Sequence, residues 1–255
     1  MKEIKHVLTT GGYDSTFMLC KLGRKDIIIQ PHYVIFERRR STDIELERLR
    51  IILNELPKKP GIQAVFKPLQ VHQQSECEPC KKTEAAYKKC WDKYSLGWQY
   101  LYLAELSRKY PGIAIGQEHY SFRPGRLSNM LFKDGHMIFT EDGTGYLPDD
   151  ADADVLWLFK DYTFPIANIS EQMMISQIEK WNYEDIMSYI WFCYSDQYNG
   201  EPCGMCNPCI GKIRAHMYML FPDSALYRYL LNQGYEVDTK KIDRKEIIKR
   251  IENLS

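Results

Sequence analysis

The fold of this chain is decided by one stretch near its start, Val7-Leu8-Thr9-Thr10-Gly11-Gly12-Tyr13-Asp14-Ser15-Thr16. A short apolar run ends at two glycines, and a helical pattern then runs from Phe17 to Leu22. Glycine lets the backbone turn tightly, and the free N–H groups at a helix start attract anions. Asp14, Ser15 and Thr16 add capping oxygens and hydroxyl donors at the same point. The stretch therefore predicts a phosphate-binding loop between a strand and a helix.

The glycine spacing separates this loop from the commonest phosphate-binding motifs. The chain contains no G-x-x-x-x-G-K-[ST], which a Walker A loop requires. The loop also lacks the G-x-G-x-x-G of dinucleotide-binding folds. Taken alone, it also fits an ordinary glycine turn before a capped helix.

A cysteine cluster near the other end predicts a metal site. Cys193 precedes the group Cys203-Gly204-Met205-Cys206-Asn207-Pro208-Cys209. Cys-x-x-Cys loops bring two sulfurs to one ion at Zn–S distances of about 2.3 Å, and four closed thiolates are typical of structural zinc. An iron–sulfur cluster also takes four cysteines, and disulfides are a further alternative. We predict zinc, with Cys193, Cys203, Cys206 and Cys209 as its ligands.

Two further patterns admit both functional and structural interpretations. Cys77 and Cys80 form a second Cys-x-x-Cys, which suits a metal, a reactive thiol or an incidental structural pair. Aspartates at 149, 150, 152 and 154 suit a divalent ion or, as we expect, a solvated acidic loop.

Composition sets the outer bounds of the function. The 255 residues are enough for one domain with an appendage, and 34 basic side chains balance 34 acidic ones. This balance gives no electrostatic argument for general nucleic-acid or membrane-surface binding. No apolar run reaches the roughly 18 residues of a membrane span, and the N-terminus has no signal-peptide pattern. Because eight cysteines without an export signal fit a reducing compartment, we expect a cytoplasmic protein with no membrane partner.

Apolar periodicity predicts alternating strands and helices, and hence an α/β fold with a parallel sheet and flanking helices. The expected strands are 4–8, 27–29, 33–36, 64–66 with 69–71, and 113–115. The expected helices are 15–22, 42–56 and 82–107, the last interrupted at Gly97. Asp134-Gly135 between apolar runs predicts a β-hairpin insertion at about 129–146. We expect an α/β domain over 1–165 and a helical C-terminal domain with the cysteine site over 166–255.

The loop resembles the S-G-G-x-D-S hallmark of the PP-loop ATP pyrophosphatase superfamily, with Thr10 in place of the first serine. In that superfamily the loop grips the pyrophosphate of ATP while a substrate carboxylate or carbonyl attacks the α-phosphorus. A nucleophile, often ammonia, then displaces AMP. The resemblance implies a Rossmann-like, adenine nucleotide hydrolase-like fold, catalytic roles for Asp14 and Ser15, and Mg²⁺ held by Asp14. It also implies that ATP is contacted by the loop residues Thr9, Thr10, Gly11, Gly12, Asp14, Ser15 and Thr16.

The loop and the cysteines together resemble the 7-cyano-7-deazaguanine synthases. These enzymes carry C-x₈₋₉-C-G-x-C-x-x-C near their C-terminus, and convert 7-carboxy-7-deazaguanine to a nitrile with ATP and ammonia. Phe192-Cys193-Tyr194 is similar to their S-C-Y, and their C-x-x-R-x-x-A follows Cys209 with Arg214 displaced by two positions. The resemblance implies a homodimer that uses ATP, Mg²⁺ and Zn²⁺, with a small deazapurine and ammonia as substrates.

Two segments differ from the synthases where the substrate would bind. The segment 117–126 lacks their Y-P-D-C-R, and Phe36-Glu37-Arg38-Arg39-Arg40 stands in place of their Y-G-Q-R-H. We therefore expect a diverged enzyme, whose product is the nitrile, an amide, or a conjugate with an amine of a protein or nucleic acid. The candidate ATP contacts are Phe36 and Arg39, a solvated basic cluster being the alternative for Arg39. The candidate substrate contacts are Gln117, His119, Arg123 and Arg126.

Two other functions fit parts of the sequence. PP-loop enzymes also adenylate tRNA bases for thiolation, and Cys77 and Cys80 would serve that chemistry. The balanced charge argues mildly against a tRNA substrate. The altered loop and pocket also fit a protein that binds ATP or AMP without turnover, from which pyrophosphate release would distinguish an enzyme.

Overall fold

A computed structural model describes residues 2–118, 126–235 and 243–254. Within these residues the strands are β1 (Ile4–Leu8), β2 (Ile28–Ile35), β3 (Val65–Phe66), β4 (Gln70–Gln73), β5 (Ile113–Ile115), β6 (Ile138–Phe139), β7 (Gly145–Tyr146) and β8 (Tyr162–Thr163). The helices are α1 (Tyr13–Gly23), α2 (Thr42–Glu55), α3 (Lys81–Tyr94), α4 (Gln99–Lys109), α5 (Arg126–Lys133), α6 (Ala153–Phe159), α7 (Glu171–Trp181), α8 (Glu184–Met187), α9 (Asn207–Arg214), α10 (Asp223–Asn232) and α11 (Arg244–Glu252).

Six of the strands form one parallel sheet in the order β3-β2-β1-β5-β8, in which β4 also pairs with β2. Val7 of β1 lies opposite Pro31 of β2 and Ala114 of β5, so β1 is central. Val7 belongs to the core under α1, α2, α7 and α8, whereas Leu8 faces the core under α3 to α6. The predicted α/β fold with a parallel sheet and helices on both faces is confirmed, and it is compatible with a Rossmann-like fold.

Two strand predictions need correction. The sequence predicts separate strands at 27–29 and 33–36, whereas one strand, β2, runs through Pro31. Proline removes one N–H, but β2 pairs with β1 on one side and with β3 and β4 on the other, which holds it straight. The third strand expected at 64–66 with 69–71 is two strands. β3 pairs with the start of β2 and β4 with its end, and Gln30 Nε2 donates to Pro68 O at 2.8 Å between them.

The helix predicted over 82–107 is interrupted, as expected, near Gly97. α3 ends at Tyr94, because Ser95 adopts a left-handed conformation with φ 49°. The second helix, α4, begins at Gln99. The long helical pattern is therefore two helices that pack against each other and against α6.

The hairpin predicted over 129–146 is wrong in its first half. Met130 and Leu131 do not lie in a strand; they are fully buried in α5. Gly135 ends that helix, where its N–H donates to Met130 O at 2.9 Å. The antiparallel pair is β6 with β7, joined across the second glycine turn at Gly143, where φ is +78°. The helical spacing of the buried side chains outweighs the Asp-Gly turn signal.

The regular elements that the structure describes after β8 are all helices, as predicted. α7 and α8 pack with α1 and α2 under the sheet. α9, α10 and α11 form a third core around the cysteines of the C-terminal motif. Among the residues described, no helix combines the length and the apolar character that crossing a membrane would take.

Three histidines, His6, His32 and His72, form a chain across β1, β2 and β4. His6 Nδ1 lies 2.8 Å from His32 Nε2, and His32 Nδ1 lies 2.9 Å from His72 Nε2. The Glu76 carboxylate, 3.6 Å from His72 Nδ1, favours a proton on that nitrogen. In this arrangement the Nδ1–H of His6 donates to His32, and the Nδ1–H of His32 donates to His72. Burial lowers the pKa of His32 to about 3, so the central ring joins its two neighbours as a neutral imidazole.

Candidate functional site

The glycine loop joins β1 to α1 at the C-terminal edge of the sheet, where ligands of parallel α/β folds bind. Gly11 has φ +70°, a conformation that favours glycine, and Gly12 directly precedes α1. The Thr10 N–H donates to Ser15 Oγ at 3.3 Å, and the Ser15 hydroxyl donates to Gly12 O at 3.2 Å. These bonds fold the loop onto the positive end of the helix dipole.

Two other segments hold the loop from either side. A Cβ on Gly116, just after β5, would lie 3.0 Å from the Ser15 nitrogen, so only glycine lets β5 end against the loop. On the other side, the Trp191 N–H donates to Gly11 O at 2.9 Å. The segment that leads into the cysteine motif is therefore hydrogen-bonded to the phosphate loop.

The side chains of the loop differ in accessibility. Thr9 and Thr16 are fully buried, and among the described residues neither hydroxyl has a hydrogen-bond partner. Ser15 is also buried, whereas Asp14 keeps 31% of its side chain exposed. Asp14 is thus placed to meet a ligand directly, and Thr16 is placed to support the helix from within.

A buried lysine and three carboxylates meet at the loop. Lys212 of α9 places its Nζ 3.3 Å from Asp14 Oδ1 and 2.5 Å from Glu171 Oε1. Asp14, Glu118 and Glu171 each offer an oxygen within 4.8 Å of the other two. The same ammonium lies 4.7 Å from the centre of the Tyr13 ring. Residues from α1, α7, α9 and the segment after β5 therefore converge on one point.

The electrostatics of this group follow from its burial and its excess of negative charge. Burial lowers the pKa of Lys212, but the charges of Asp14, Glu118 and Glu171 outweigh burial and raise that pKa well above its usual range. Lys212 is therefore charged at neutral pH. Lys212 thus faces three carboxylates, and two of them, Asp14 and Glu171, form ion pairs with it.

Sequence reasoning missed three of these four residues, although one signal was present. The register Cys209-x-x-Lys212-x-x-Ala215 matches the C-x-x-R-x-x-A of the synthases without any displacement, with lysine in place of arginine. Arg214, which the sequence comparison selected instead, is exposed. Glu118 and Glu171 carried no motif signal, because their role depends on contacts between distant parts of the chain.

The four cysteines of the C-terminal motif lie close enough to share one ion. Their sulfurs are all within 4.8 Å of one another, and the Cys206 sulfur lies 3.4 Å from that of Cys209 and 3.9 Å from that of Cys193. A tetrahedral ion with Zn–S bonds of about 2.3 Å separates its sulfurs by about 3.8 Å. An iron–sulfur cluster would spread the same sulfurs over several iron atoms. The set therefore fits a single metal ion, compatible with zinc.

The backbone around the cysteines is arranged for thiolates. The Cys203 N–H points at the Cys193 sulfur at 3.2 Å, and the Cys206 N–H points at the Cys203 sulfur at 3.3 Å. Gly204 has φ +77°, and a Cβ there would lie 2.1 Å from Ala225 O. Only glycine therefore allows this turn to pack on α10. None of the eight cysteines forms a disulfide in the structure.

The predicted ATP contacts Phe36 and Arg39 lie at the end of β2 and just beyond it. The Phe36 ring is buried and packs edge-on against Trp98, at 5.0 Å between centroids, and Trp98 is 41% exposed. Arg39 Nε donates to Glu45 Oε1 at 2.9 Å, and this buried carboxylate also accepts from Ser41 at 2.6 Å. Glu45 thus holds Arg39, whose contact with ATP stays a prediction.

The predicted substrate contacts are only partly described. Gln117 Nε2 donates to the backbone oxygen of Glu118 at 2.9 Å. Glu118 belongs to the cluster of three carboxylates at the loop. His119 and Arg123 lie outside the described residues. Arg126 is the first residue of α5, and its side chain is likewise outside the description.

The second Cys-x-x-Cys pair is divided between the core and the surface, and two of the clustered aspartates have structural partners. Cys77 is buried, and Cys80 is exposed at the N-terminus of α3. Asp152 caps α6 by accepting from two N–H groups, and Asp154 pairs with Lys89 at 2.7 Å. The acidic stretch therefore begins a helix on the surface.

No protein-family model matches the chain, and no curated protein matches it. The function is therefore inferred from the loop, the carboxylates and the cysteines themselves.

Proposed function

We propose that this protein is an ATP-dependent ligase. It would adenylate a carboxylate of the 7-carboxy-7-deazaguanine type and pass the acyl group to ammonia or another amine, with release of AMP and pyrophosphate. The observation that carries the proposal is the glycine loop at the start of α1 beside a buried lysine and three carboxylates. One round of this chemistry gives the amide or a conjugate. The nitrile requires a second ATP, which would adenylate the amide oxygen so that AMP carries this oxygen away as the C≡N bond forms.

The loop suits the triphosphate of ATP. Its glycine backbone and the positive end of α1 favour the β- and γ-phosphates. Lys212 adds a permanent positive charge within reach of Asp14, the accessible side chain of the loop. The positive charge that a Walker A lysine provides from within its loop would here come from a distant helix.

The cluster of three carboxylates at the loop is suited to bind a magnesium ion. Mg²⁺ prefers oxygen ligands, and Asp14, Glu118 and Glu171 offer three oxygens within 4.8 Å of one another. A divalent ion there would add positive charge beside Asp14 and Glu171, which share the single ammonium of Lys212. When bound, Mg²⁺ neutralises the charge that develops on the leaving pyrophosphate.

The reaction then has two steps. A carboxylate oxygen of the substrate attacks the α-phosphorus, a new P–O bond forms, and the bond to pyrophosphate breaks. The amine nitrogen next attacks the acyl carbon, and AMP leaves with the electrons of the C–O bond. Four thiolates leave no open position on a zinc ion, so Cys193, Cys203, Cys206 and Cys209 would serve structure and not chemistry.

The test is incubation of the protein with ATP, Mg²⁺, ammonium and 7-carboxy-7-deazaguanine. We expect AMP, pyrophosphate and a nitrile or amide of the predicted mass. Asp14→Asn should abolish turnover while keeping the fold and the bound zinc. Unchanged turnover in that variant would refute the PP-loop assignment, and ATP binding without pyrophosphate release would favour a non-catalytic nucleotide-binding protein.

A further inference from the structure

Helix α9 joins the cysteine site to the phosphate loop. Cys206 directly precedes the helix, and Cys209 lies in its first turn. Lys212 follows Cys209 by three residues, which places both on one face of the helix. Both are buried, and Ile213 beside them is in the core. One short helix thus carries a cysteine ligand at one end and the cation of the loop near the other.

The position of α9 depends on its surroundings. A helix of 8 residues is marginal on its own in water, so packing and ligands must fix it. Two of the four sulfurs, from Cys206 and Cys209, lie at its N-terminus. The other two, from Cys193 and Cys203, come from the preceding segment, which also supplies the Trp191 N–H to the loop. A metal ion would tie these pieces together.

We propose that the metal in the four-cysteine site holds Lys212 between Asp14 and Glu171, and thereby sets the charge of the phosphate loop. The consequence for ATP rests on the proposed function. The structure places the ammonium 3.3 Å from Asp14 Oδ1 and 2.5 Å from Glu171 Oε1, and a bound metal would hold α9 in this position. Without the metal, the start of α9 loses its anchor and Lys212 leaves the carboxylates.

Withdrawal of Lys212 would change the loop from accepting to repelling phosphate. The formal charge of Asp14, Glu171 and Lys212 together falls from one negative to two negative, because both carboxylates stay in place when the ammonium leaves. Lys212 and Glu171 are largely buried, so solvent screens their charges weakly. Supply of the metal would therefore regulate nucleotide binding without any metal contact to the nucleotide.

The first experiment measures the accessibility of Lys212 directly. The zinc-loaded protein and protein stripped with a chelator are treated briefly with acetic anhydride, and each lysine is followed by mass spectrometry. We expect Lys212 acetylation to rise at least fivefold after stripping. Lys21 is the internal control, since it donates to Pro165 O far along the chain from the cysteines and should not change. Equal Lys212 acetylation in both forms would overturn the inference.

The second experiment measures Mg–ATP binding by calorimetry in the wild type and in Lys212→Met. Stripping the metal should weaken binding at least tenfold in the wild type and less than twofold in Lys212→Met, where the ammonium is already absent. An equal loss in both proteins would overturn the coupling through Lys212. Metal-dependent acetylation together with no ATP binding in any form would support the position of Lys212 and refute the proposed function.

Discussion

Lys212→Met is the substitution that tests the described site most directly. It removes the only cation shown to contact Asp14 and Glu171 among the described residues, and keeps a long apolar side chain on α9. The expected result is a large loss of stability, because the carboxylates remain buried without their partner. If the ion pairs of Lys212 were incidental surface contacts, the substitution would leave the free energy of unfolding nearly unchanged.

The expected decrease in the free energy of unfolding depends on how exposed the side chains of Lys212, Glu171 and Asp14 are. Lys212 keeps 10% of its side chain exposed, Glu171 15% and Asp14 31%. Removal of one partner from a buried ion pair costs about 3–5 kcal/mol, since the remaining charge stays desolvated. We expect the lower end, about 3 kcal/mol, because water screens the charge of Asp14.

The assay is urea denaturation at pH 7, followed by circular dichroism, with three variants compared with the wild type. Arg214→Met is the matched control, since Arg214 is exposed on the same helix and should cost less than about 0.5 kcal/mol. Adding Glu171→Gln to Lys212→Met should recover about 1 kcal/mol by removing one unpaired charge. A loss below about 1 kcal/mol for Lys212→Met, or equal losses for Lys212→Met and Arg214→Met, would refute the reasoning.

Three further predictions concern the cysteine turn and the histidine chain. Gly204→Ala should lower the free energy of unfolding by more than about 2 kcal/mol, since the added Cβ would lie 2.1 Å from Ala225 O. Gly112→Ala is the control, because Gly112 has a similar φ but open space around it, and it should cost about 1 kcal/mol in the same urea assay. Cys206→Ser should lower the zinc content, measured by atomic absorption, from near one ion per chain; unchanged content would exclude the four-cysteine site. Because burial lowers the pKa of His32 to about 3, the contribution of His32 to the free energy of unfolding is complete above pH 6.5. This contribution decreases as the pH is lowered below 6.5. Between pH 7 and pH 5 the wild type should lose about 2 kcal/mol more than His32→Asn, and parallel pH profiles would contradict a neutral His32.

Much of the fold and part of the site were determined by local sequence. The run Val7 to Thr16 predicted the strand, the turn and the helix start, because glycine conformation and apolar period act over a few residues. The four cysteines predicted their own cluster for the same reason, since Cys-x-x-Cys spacing already brings sulfurs together. The hairpin predicted at Asp134-Gly135 was wrong, because the turn signal there competes with the helical spacing of the apolar residues before it. Burial of those residues in α5 decided between the two signals.

Tertiary structure alone decided which charges meet at the loop. Asp14, Glu118, Glu171 and Lys212 are spread over most of the chain, and no period or spacing links them. Their meeting depends on the sheet order, which sets the end of β5 against α1, and on the cysteine turn, which aims α9 at the same point. The attraction between a buried ammonium and its carboxylates becomes strong only after these elements have packed and excluded water. The spacing of residues in the sequence does not determine that packing.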